Sequence, residues 1–334
     1  MLIGEELTSI YVEGNADRYV GEARGSRSRW VSRFRNSESV RGYLLLVPAL
    51  LVVGALLLSP LAALVALSFA SQSYFDIDYT PTLTNYRTIF APAAEPVYFL
   101  GIPFYLESPI FMVLLVKSIL MSLVSTAAVI LLAYPMAYFL AFQVKRGKVI
   151  WIILITLPFW TSYLLRVFSW KIILGFNGVV NSGLVDLGII AQPLDFLLYN
   201  PTAVVITLAH AWAAFAILPI YVSLEKIDRS LFEASVDLGD SWLKRFLRVT
   251  LPLSWPGVAA AAMLVFIPTV GDYVTPTLVG GREGIMIGNI VQSQFGKANN
   301  APLGAAVSIV SMTVVAIGVL FFLWISGRRH GTER

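Results

Sequence analysis

The chain has 334 residues, of which 57% are hydrophobic and 13% charged, with a formal net charge of +4 and a mean hydropathy of +0.76. A water-facing surface needs about twice that share of charged residues, so the composition indicates a membrane protein and argues against a disordered or nucleic-acid-binding chain. The sequence has no cysteine and only two histidines, His210 and His330, which excludes disulfides and thiolate sites and argues against a histidine-rich metal site. We therefore expect neither a metal nor a cofactor in this chain.

The N-terminal segment carries seven arginines and no short apolar stretch that leads into a cleavage site. We therefore interpret residues 1–43 as a retained cytoplasmic tail and not as a cleavable signal. A second cytoplasmic tail is predicted at residues 326–334. Between the tails, residues 44–325 are predicted to form a single transmembrane domain.

Six apolar runs reach the roughly 20 residues that a helix needs to cross the hydrocarbon core of a bilayer. Helices are expected because a lipid-facing span must satisfy its own backbone hydrogen bonds, and the alternating segments of about ten residues that a β-barrel requires are not seen. Pro135, near the inner end of the long second run, predicts a kink or break there. The predicted spans are Leu44–Phe69, Ile110–Phe142, Val149–Leu174, Ala203–Leu224, Val258–Val279 and Leu303–Ile325.

The distribution of Lys and Arg predicts the orientation of these spans. With the N-terminus inside, eighteen basic residues fall in the tails and inner loops, and three fall outside, namely Arg87, Arg282 and Lys297. The sequence therefore predicts an all-α integral membrane protein with six transmembrane helices and both termini in the cytoplasm. The long outer loop, residues 70–109, is rich in aromatic residues, and we expect interfacial helices in it.

The inner loop between the fourth and fifth spans, residues 225–256, has the pattern of a helix–turn–helix hairpin. Ser230 followed three residues later by Glu233 forms a capping box, which predicts the start of a short helix. Gly239 is suited to the left-handed backbone that ends such a helix. The apolar residues of this segment predict a surface that fits an apolar groove on a partner.

A second short helix is predicted to begin after Asp240 or Ser241, either of which is a suitable N-cap. Pro252 is expected to break this helix, since proline has no backbone N–H to donate. Pro256 is expected in the first turn of the fifth span, where proline is well tolerated.

This loop resembles the EAA loop of binding-protein-dependent ABC importer permeases. The resemblance rests on Glu233-Ala234, on Leu238-Gly239 and on Leu251-Pro252 twelve residues beyond the glycine, with Ser235 at a position that is usually alanine. Four further segments look similar to the family, and the last two look most like its spermidine/putrescine (PotB-type) branch. These segments are Thr84–Phe90, Ala133–Tyr138, Pro158–Arg166 and Gly271–Pro276.

The resemblance implies a type I importer permease fold, multi-pass in a bacterial inner membrane, with the hairpin as the coupling helix. In this family the hairpin docks on a cytoplasmic ATPase dimer that binds ATP and Mg²⁺, so the chain itself is expected not to be an enzyme. This agrees with the sequence, because Phe295-Gly296-Lys297-Ala298 lacks the leading glycine and the hydroxyl residue of a phosphate-binding loop. The residues implied in coupling are Glu233, Ala234, Asp237, Gly239, Leu251 and Pro252.

The other expected partners are a second permease subunit (PotC-like, or a second copy), a periplasmic substrate-binding protein and the lipid bilayer, with no nucleic acid. The branch resemblance implies a polyamine substrate such as putrescine or spermidine. Opines and amino acids remain open as alternatives, because related permeases serve them as well.

Two charged residues lie deep in the predicted spans, Arg166 in the third and Asp272 in the fifth. They are eight and seven residues from the outer ends of these spans, and at about 1.5 Å per residue both lie roughly 10–12 Å below the outer surface. Either the two form a structural ion pair, or Asp272 faces the path and attracts a cationic substrate with help from aromatic faces. The candidate path residues are Asp272, Tyr273, Trp160, Tyr163 and Arg166.

Two other classes of membrane protein are alternatives to an importer permease. An ion-gradient-driven secondary transporter is disfavoured by the single deep acid and by the coupling-type hairpin. An integral-membrane enzyme is disfavoured because the acids and histidines do not cluster on a predicted face.

Overall fold

The computed structural model describes residues 38–331; residues 1–37, most of the predicted N-terminal tail, and residues 332–334 lie outside that range. The described residues divide into two compact units, with the boundary between residues 64 and 65. In chain order the helices are α1 (Glu38–Ser68), α2 (Thr84–Phe90), α3 (Ile110–Tyr138), α4 (Lys148–Thr156), α5 (Tyr163–Ile173), α6 (Val179–Asp186), α7 (Pro201–Glu225), α8 (Arg229–Asp237), α9 (Trp242–Arg245), α10 (Leu251–Val270), α11 (Ile287–Phe295) and α12 (Ala301–Gly331).

Among the described residues, five helical segments are long and apolar enough to cross a membrane, or six if the bent pair at α4 and α5 counts as one span. The protein is therefore a mostly helical, multi-pass membrane protein. α1 begins at Glu38, ahead of the predicted Leu44, and its large apolar side chains from Leu45 to Leu58 are exposed. Such exposure is expected of a helix that faces lipid.

The core of the second unit lies where α3, α7 and α10 pack against one another. Small side chains on all three helices are fully buried there, which allows the close helix approach typical of membrane bundles. Gly257 on α10 shows how close the approach is, because a Cβ at this position would lie 2.4 Å from the Cβ of Ser223 on α7.

The predicted third span is not one helix. α4 continues through a 3₁₀ turn, Leu157–Trp160, and then meets α5 at an angle of 85°. Thr161 and Ser162 have extended ψ angles of 158° and 135° at the break. The predicted span Val149–Leu174 is uniformly apolar, so its hydropathy does not reveal this bend. Pro158, which lacks an N–H donor, is a local signal for it.

The second span shows the opposite outcome, because Pro135 does not break it. α3 runs through Pro135 and continues as a π-helical turn, Phe139–Gln143, so that residues 110–143 form one helix. Proline removes one helical hydrogen bond, and the wider turn that follows accommodates the change in register.

The fifth span ends earlier than predicted. α10 stops at Val270, whereas the apolar run continues to Val279. Gly271 ends the helix, and residues 276–280 form a separate π-helical turn before α11. Asp272 therefore follows this helix instead of lying within it, contrary to the predicted span.

The segment between α1 and α3, residues 69–109, corrects the all-α prediction. It contains one short helix, α2, and two antiparallel hairpins in place of a series of interfacial helices. The turn of the second hairpin places Leu100 and Gly101 at φ angles of 51° and 79°, the left-handed geometry that tight hairpin turns require. The strands are β1 (Ser71–Ser73), β2 (Asp76–Asp78), β3 (Pro92–Phe99) and β4 (Ile102–Leu106).

Candidate functional site

The hairpin predicted at residues 225–256 begins with α8, and its N-cap differs from the predicted one. The Asp228 carboxylate accepts a hydrogen bond from the N–H of Ser230 at 3.0 Å. The predicted capping box at Ser230 is wrong, because Ser230 already lies inside the helix. Asp228 satisfies the free N–H group that a cap must reach.

The turn of the hairpin confirms the prediction for Gly239, which has a φ angle of 80°. Its N–H donates to the carbonyl of Val236 at 2.9 Å, and the N–H of Asp240 donates to the carbonyl of Ser235 at 3.0 Å. These two bonds form a Schellman motif, which ends α8 and reverses the chain. Ser241 then caps α9 by accepting from the N–H of Lys244 at 3.5 Å.

The second arm of the hairpin joins the fifth span without the predicted break. Residues 242–270 form one helix, in which Phe246–Thr250 is a π-helical turn and Pro256 lies in the interior. The N–H of Leu251 reaches back to the carbonyl of Phe246, and this shift in register accommodates Pro252, which has no N–H. The expected positions of both prolines are therefore corrected, and Leu251-Pro252 lies in one continuous helix.

The hairpin has a packed face and an exposed face. On the packed face, Phe232 contacts the ring of Phe142 at 5.0 Å, and Phe246 contacts the ring of Tyr134 at 5.5 Å. An ion pair of 3.3 Å between Arg248 and Asp240 joins α10's entry turn to the hairpin turn. The exposed face carries two acids one helical turn apart with small and apolar neighbours, namely Glu233, Ala234, Val236, Asp237, Leu238, Trp242 and Leu243.

Just beyond the other end of α10, the side chain that contacts Asp272 is Tyr163 and not Arg166, the partner in the ion-pair hypothesis. Tyr163, the first residue of α5, donates its hydroxyl to Oδ2 of Asp272 at 2.6 Å and also lies 2.7 Å from the hydroxyl of Thr275. The N–H of Val274 donates to Oδ1 of Asp272 at 2.9 Å. Two donors therefore orient this half-buried carboxylate, which retains lone pairs for a further donor.

Arg166 does not pair with Asp272. Within the described part of the chain, the ion pairs join Lys148 to Glu225 and Arg248 to Asp240. Arg166 instead donates to the carbonyl of Pro158 at 3.2 Å and lies 4.7 Å from the centre of the Phe159 ring. The structural ion-pair hypothesis is therefore wrong, because the 85° bend directs Arg166 back to the end of the preceding turn.

Two aromatic residues of the predicted path lie outside this hydrogen-bonded group. Trp160, at the bend, is 83% exposed, and the ring of Tyr273 is 46% exposed. Tyr273 takes part in the local structure through its backbone carbonyl, which accepts from the side chain of Asn289 at 3.0 Å.

Two residues that help to build the hydrogen-bonded group around Asp272 were not predicted from the sequence. Thr275 is buried and shares the Tyr163 hydroxyl, and its only sequence signal is its place in the Gly271–Pro276 segment. Gly288 on α11 lies so close that an added Cβ would be 2.5 Å from the carbonyl oxygen of Gly271 and 2.9 Å from that of Asp272. No local sequence pattern predicts that contact. Across residues 38–331, no three acidic or histidine side chains are grouped to hold a metal ion.

Comparison with known proteins gives consistent matches in sequence and in fold. The family model described as binding-protein-dependent transport system inner membrane component matches residues 43–329. The spermidine/putrescine transport system permease protein PotB of Escherichia coli K12 is 37% identical over 223 residues, which cover 67% of this chain and 80% of that protein. PotB of Haemophilus influenzae is 33% identical over 265 residues, which cover 79% and 86%.

A solved structure shows the same fold at low sequence identity. The bacterial ABC transporter involved in import of the acidic polysaccharide alginate aligns with a TM-score of 0.61 and 17% identity. The alignment covers 90% of this chain and 99% of that one.

Proposed function

This chain belongs to the family of binding-protein-dependent transport system inner membrane components, and from that premise we propose that it is the permease subunit of an ABC importer for polyamines. The substrate class, with putrescine and spermidine as its members, comes from relatives at 33–37% identity that cover most of the chain. Its expected partners are a periplasmic substrate-binding protein and a second permease, either PotC-like or a second copy of this chain.

The proposed topology has six spans with both termini in the cytoplasm of a bacterial inner membrane. It treats the bent pair α4 and α5 as one broken span. The support is the distribution of basic residues, eighteen of which then face the cytoplasm and three the outside. With this orientation the hairpin lies in the cytoplasm and Asp272 lies toward the outer side.

The coupling function rests on the exposed face of the hairpin. Glu233 and Asp237 lie one turn apart on α8 and present two carboxylates to basic groups of a docking partner. Ala234, between them, has a small side chain that allows the partner to approach α8 closely. A cytoplasmic ATPase dimer, which binds ATP and Mg²⁺, is the proposed partner, so this chain performs no hydrolysis itself.

The rest of the hairpin gives that contact a rigid connection to the membrane. Gly239 reverses the chain in a fully hydrogen-bonded turn, and Leu251-Pro252 continues directly into α10. A displacement of the hairpin by closure of the ATPase dimer would therefore move α10 as one body, which is the rigid-element motion that such switching requires.

The proposed substrate contact is the carboxylate of Asp272. It is held in place by Tyr163 and by the N–H of Val274, and neither donor carries a positive charge. A primary ammonium group has three donors and can take the remaining acceptor sites. The exposed rings of Tyr273 and Trp160 offer faces for the same cation nearby, whereas the contacts of Arg166 assign it to the bend.

The proposal is tested by uptake of labelled putrescine into proteoliposomes that contain this chain and its partner subunits. We expect uptake to require ATP and Asp272→Asn to lower the uptake rate at low substrate by roughly 10- to 100-fold, the effect of losing a charge-assisted hydrogen bond. Asp186→Asn, at an exposed outer position, is the matched control and should behave as the unaltered chain.

Two results would contradict the proposal in different ways. Uptake without ATP that collapses with the proton gradient would identify a secondary transporter. Calorimetry in which the partner binding protein binds an opine or an amino acid and ignores polyamines would leave the importer in place and overturn the substrate.

A further inference from the structure

The coupling hairpin contacts three long helices of the core, but the chain connects it to only two of them. α8 follows directly from α7, and α9 leads directly into α10. α3 is joined to the hairpin by side chains alone. A displacement of the hairpin therefore reaches α7 and α10 through the backbone, whereas it reaches α3 only through side-chain packing, either directly from the hairpin or by way of α7 and α10.

Two aromatic pairs make these contacts, one from each arm of the hairpin. Phe232 of α8 packs edge-on against Phe142 at a centroid distance of 5.0 Å and an interplanar angle of 72°. Phe246, at the end of α9, packs edge-on against Tyr134 of α3 at 5.5 Å and 84°. Edge-to-face packing is a preferred geometry for aromatic pairs and stabilises them beyond the buried area, so each pair favours keeping the hairpin and α3 together.

Each aromatic residue on the α3 side is itself anchored within the core. The hydroxyl of Tyr134 lies 2.8 Å from that of Ser254 on α10, and both residues are buried. The ring of Phe142 packs against Tyr138, one turn earlier, at 4.8 Å. The contacts therefore end on residues that are fixed to α3 and α10 and not on mobile surface side chains.

One residue of each aromatic pair lies in a π-helical turn. Phe142 lies in the turn Phe139–Gln143 at the inner end of α3, and Phe246 begins the turn Phe246–Thr250 that leads into α10. π-turns are uncommon and occur preferentially at functional positions in helices. Two such turns that meet one hairpin mark this junction as distinct from the regular helices around it.

We propose that Phe142 and Tyr134 are positioning residues that transmit the movement of the coupling hairpin to α3. The inference rests on the proposed function, because it assumes that an ATPase moves the hairpin. It adds that the two aromatic pairs make α3 follow that movement together with α7 and α10. Without them, ATP hydrolysis continues but α3 lags behind, and less solute is transported for each ATP consumed.

The test compares two phenylalanines of the same π-turn. Phe142 contacts the hairpin, whereas Phe139 packs against Trp151 on α4 at 6.0 Å. In the reconstituted importer, we expect Phe142→Leu to lower putrescine transported per ATP hydrolysed by roughly threefold to tenfold, the range that loss of one aromatic pair allows. Phe139→Leu should keep the ratio of the unaltered chain, and Phe142→Tyr, which retains the ring, should restore it.

A double-mutant cycle separates transmission from general damage. If Phe232 and Phe142 act through their contact, Phe232→Leu combined with Phe142→Leu should lower the ratio no further than either change alone. Multiplicative effects, or equal effects of Phe142→Leu and Phe139→Leu, would overturn the inference. Assembly of the complex and its basal ATPase rate are measured for each variant, and both should remain unchanged.

Failure of this inference is distinguishable from failure of the proposed function. Uptake by the unaltered chain without ATP would remove the ATPase from the mechanism altogether. An unaltered chain that requires ATP, with Phe232→Leu uncoupled and Phe142→Leu normal, would retain the coupling hairpin and reject transmission through α3.

Discussion

In the proposed orientation, the inner hairpin and the outer group lie at the two ends of the helix that contains α10, yet they are built from contacts of very different range. The outer group consists of Tyr163, Asp272, Val274 and Thr275. In the hairpin, the bonds that cap α8 and close its turn join residues no more than five positions apart. In the outer group, the Tyr163 and Asp272 side chains meet across 109 positions of sequence. The first is a local motif presented on a surface, and the second exists only when separate segments are packed together.

This difference determines how each region responds to change. The Cβ of a residue in place of Gly239 would meet open space, so a substitution there is opposed only by the positive φ angle. A residue in place of Gly288 would collide with the backbone of Gly271 and Asp272. The hairpin is therefore expected to tolerate side chains at Gly239 but not a different turn, whereas the outer group tolerates no added volume at Gly288.

The largest expected effect is at Gly288, which packs directly against the backbone of the outer group. Gly288→Val places a Cβ 2.5 Å from the carbonyl oxygen of Gly271, and the backbone must move to relieve the clash. We expect a cost at the upper end of overpacking effects, about 3 kcal/mol, and a lower melting temperature of the purified complex. Gly183→Val on α6, where a Cβ meets nothing within 4 Å, is the control. Equal melting temperatures for the two variants would show that the outer group is not held by this approach.

An intermediate effect is expected at Gly239, and it should appear in coupling more than in stability. Gly239→Val forces a β-branched residue to a φ angle of 80°, at a cost of about 1–2 kcal/mol, so part of the population loses the turn. Gly188→Val imposes a similar strain at a φ angle of 68° in the loop between α6 and α7, also in open space. Polyamine uptake should fall in the first variant and not in the second. If both lose uptake equally, backbone strain in general and not the hairpin turn is responsible.

The smallest expected effect sharpens the description of the hairpin itself. Asp228→Ala removes the side chain that caps α8 and should cost about 1 kcal/mol. Ser230→Ala, at the cap that the sequence alone suggested, should be close to neutral because Ser230 lies inside the helix. Thermal unfolding of the two variants in detergent measures the difference, and the reverse order would restore the capping box at Ser230.

Local signals explain which parts of the hairpin could be predicted. Gly239 and Ser241 act on backbone groups within five residues, and both have the predicted roles in the turn and in the cap. The error at Ser230 also arises from local signals, because Asp228, two residues earlier, is an equally suitable N-cap. In the structure it is Asp228 that accepts the hydrogen bond from the backbone of the first turn. The error at Pro252 arose because the π-turn before it shifts the hydrogen-bond register, and composition does not reveal such a shift.

The outer group could be predicted only in part. Asp272 stood out as a charged residue in an apolar run, and Tyr163 was among the residues placed near it. Their hydrogen bond, and the turn of Arg166 toward Pro158, depend on the 85° bend between α4 and α5. A hydropathy profile reads that stretch as one straight helix and so brings the wrong side chain to Asp272.

The amino-acid sequence alone determined that the chain lies in a membrane, approximately where its helices run, and where the inner hairpin turns. These properties follow from apolar runs, basic loops and caps, whose free energies are set by the bilayer and by neighbours a few residues away. Tertiary structure decided where the third span bends, where the fifth helix ends, which partner orients Asp272, and which face of the hairpin is left exposed. Those outcomes depend on how helices far apart in sequence pack, because closing a loop of about a hundred residues has an entropic cost that one side-chain contact does not offset by itself.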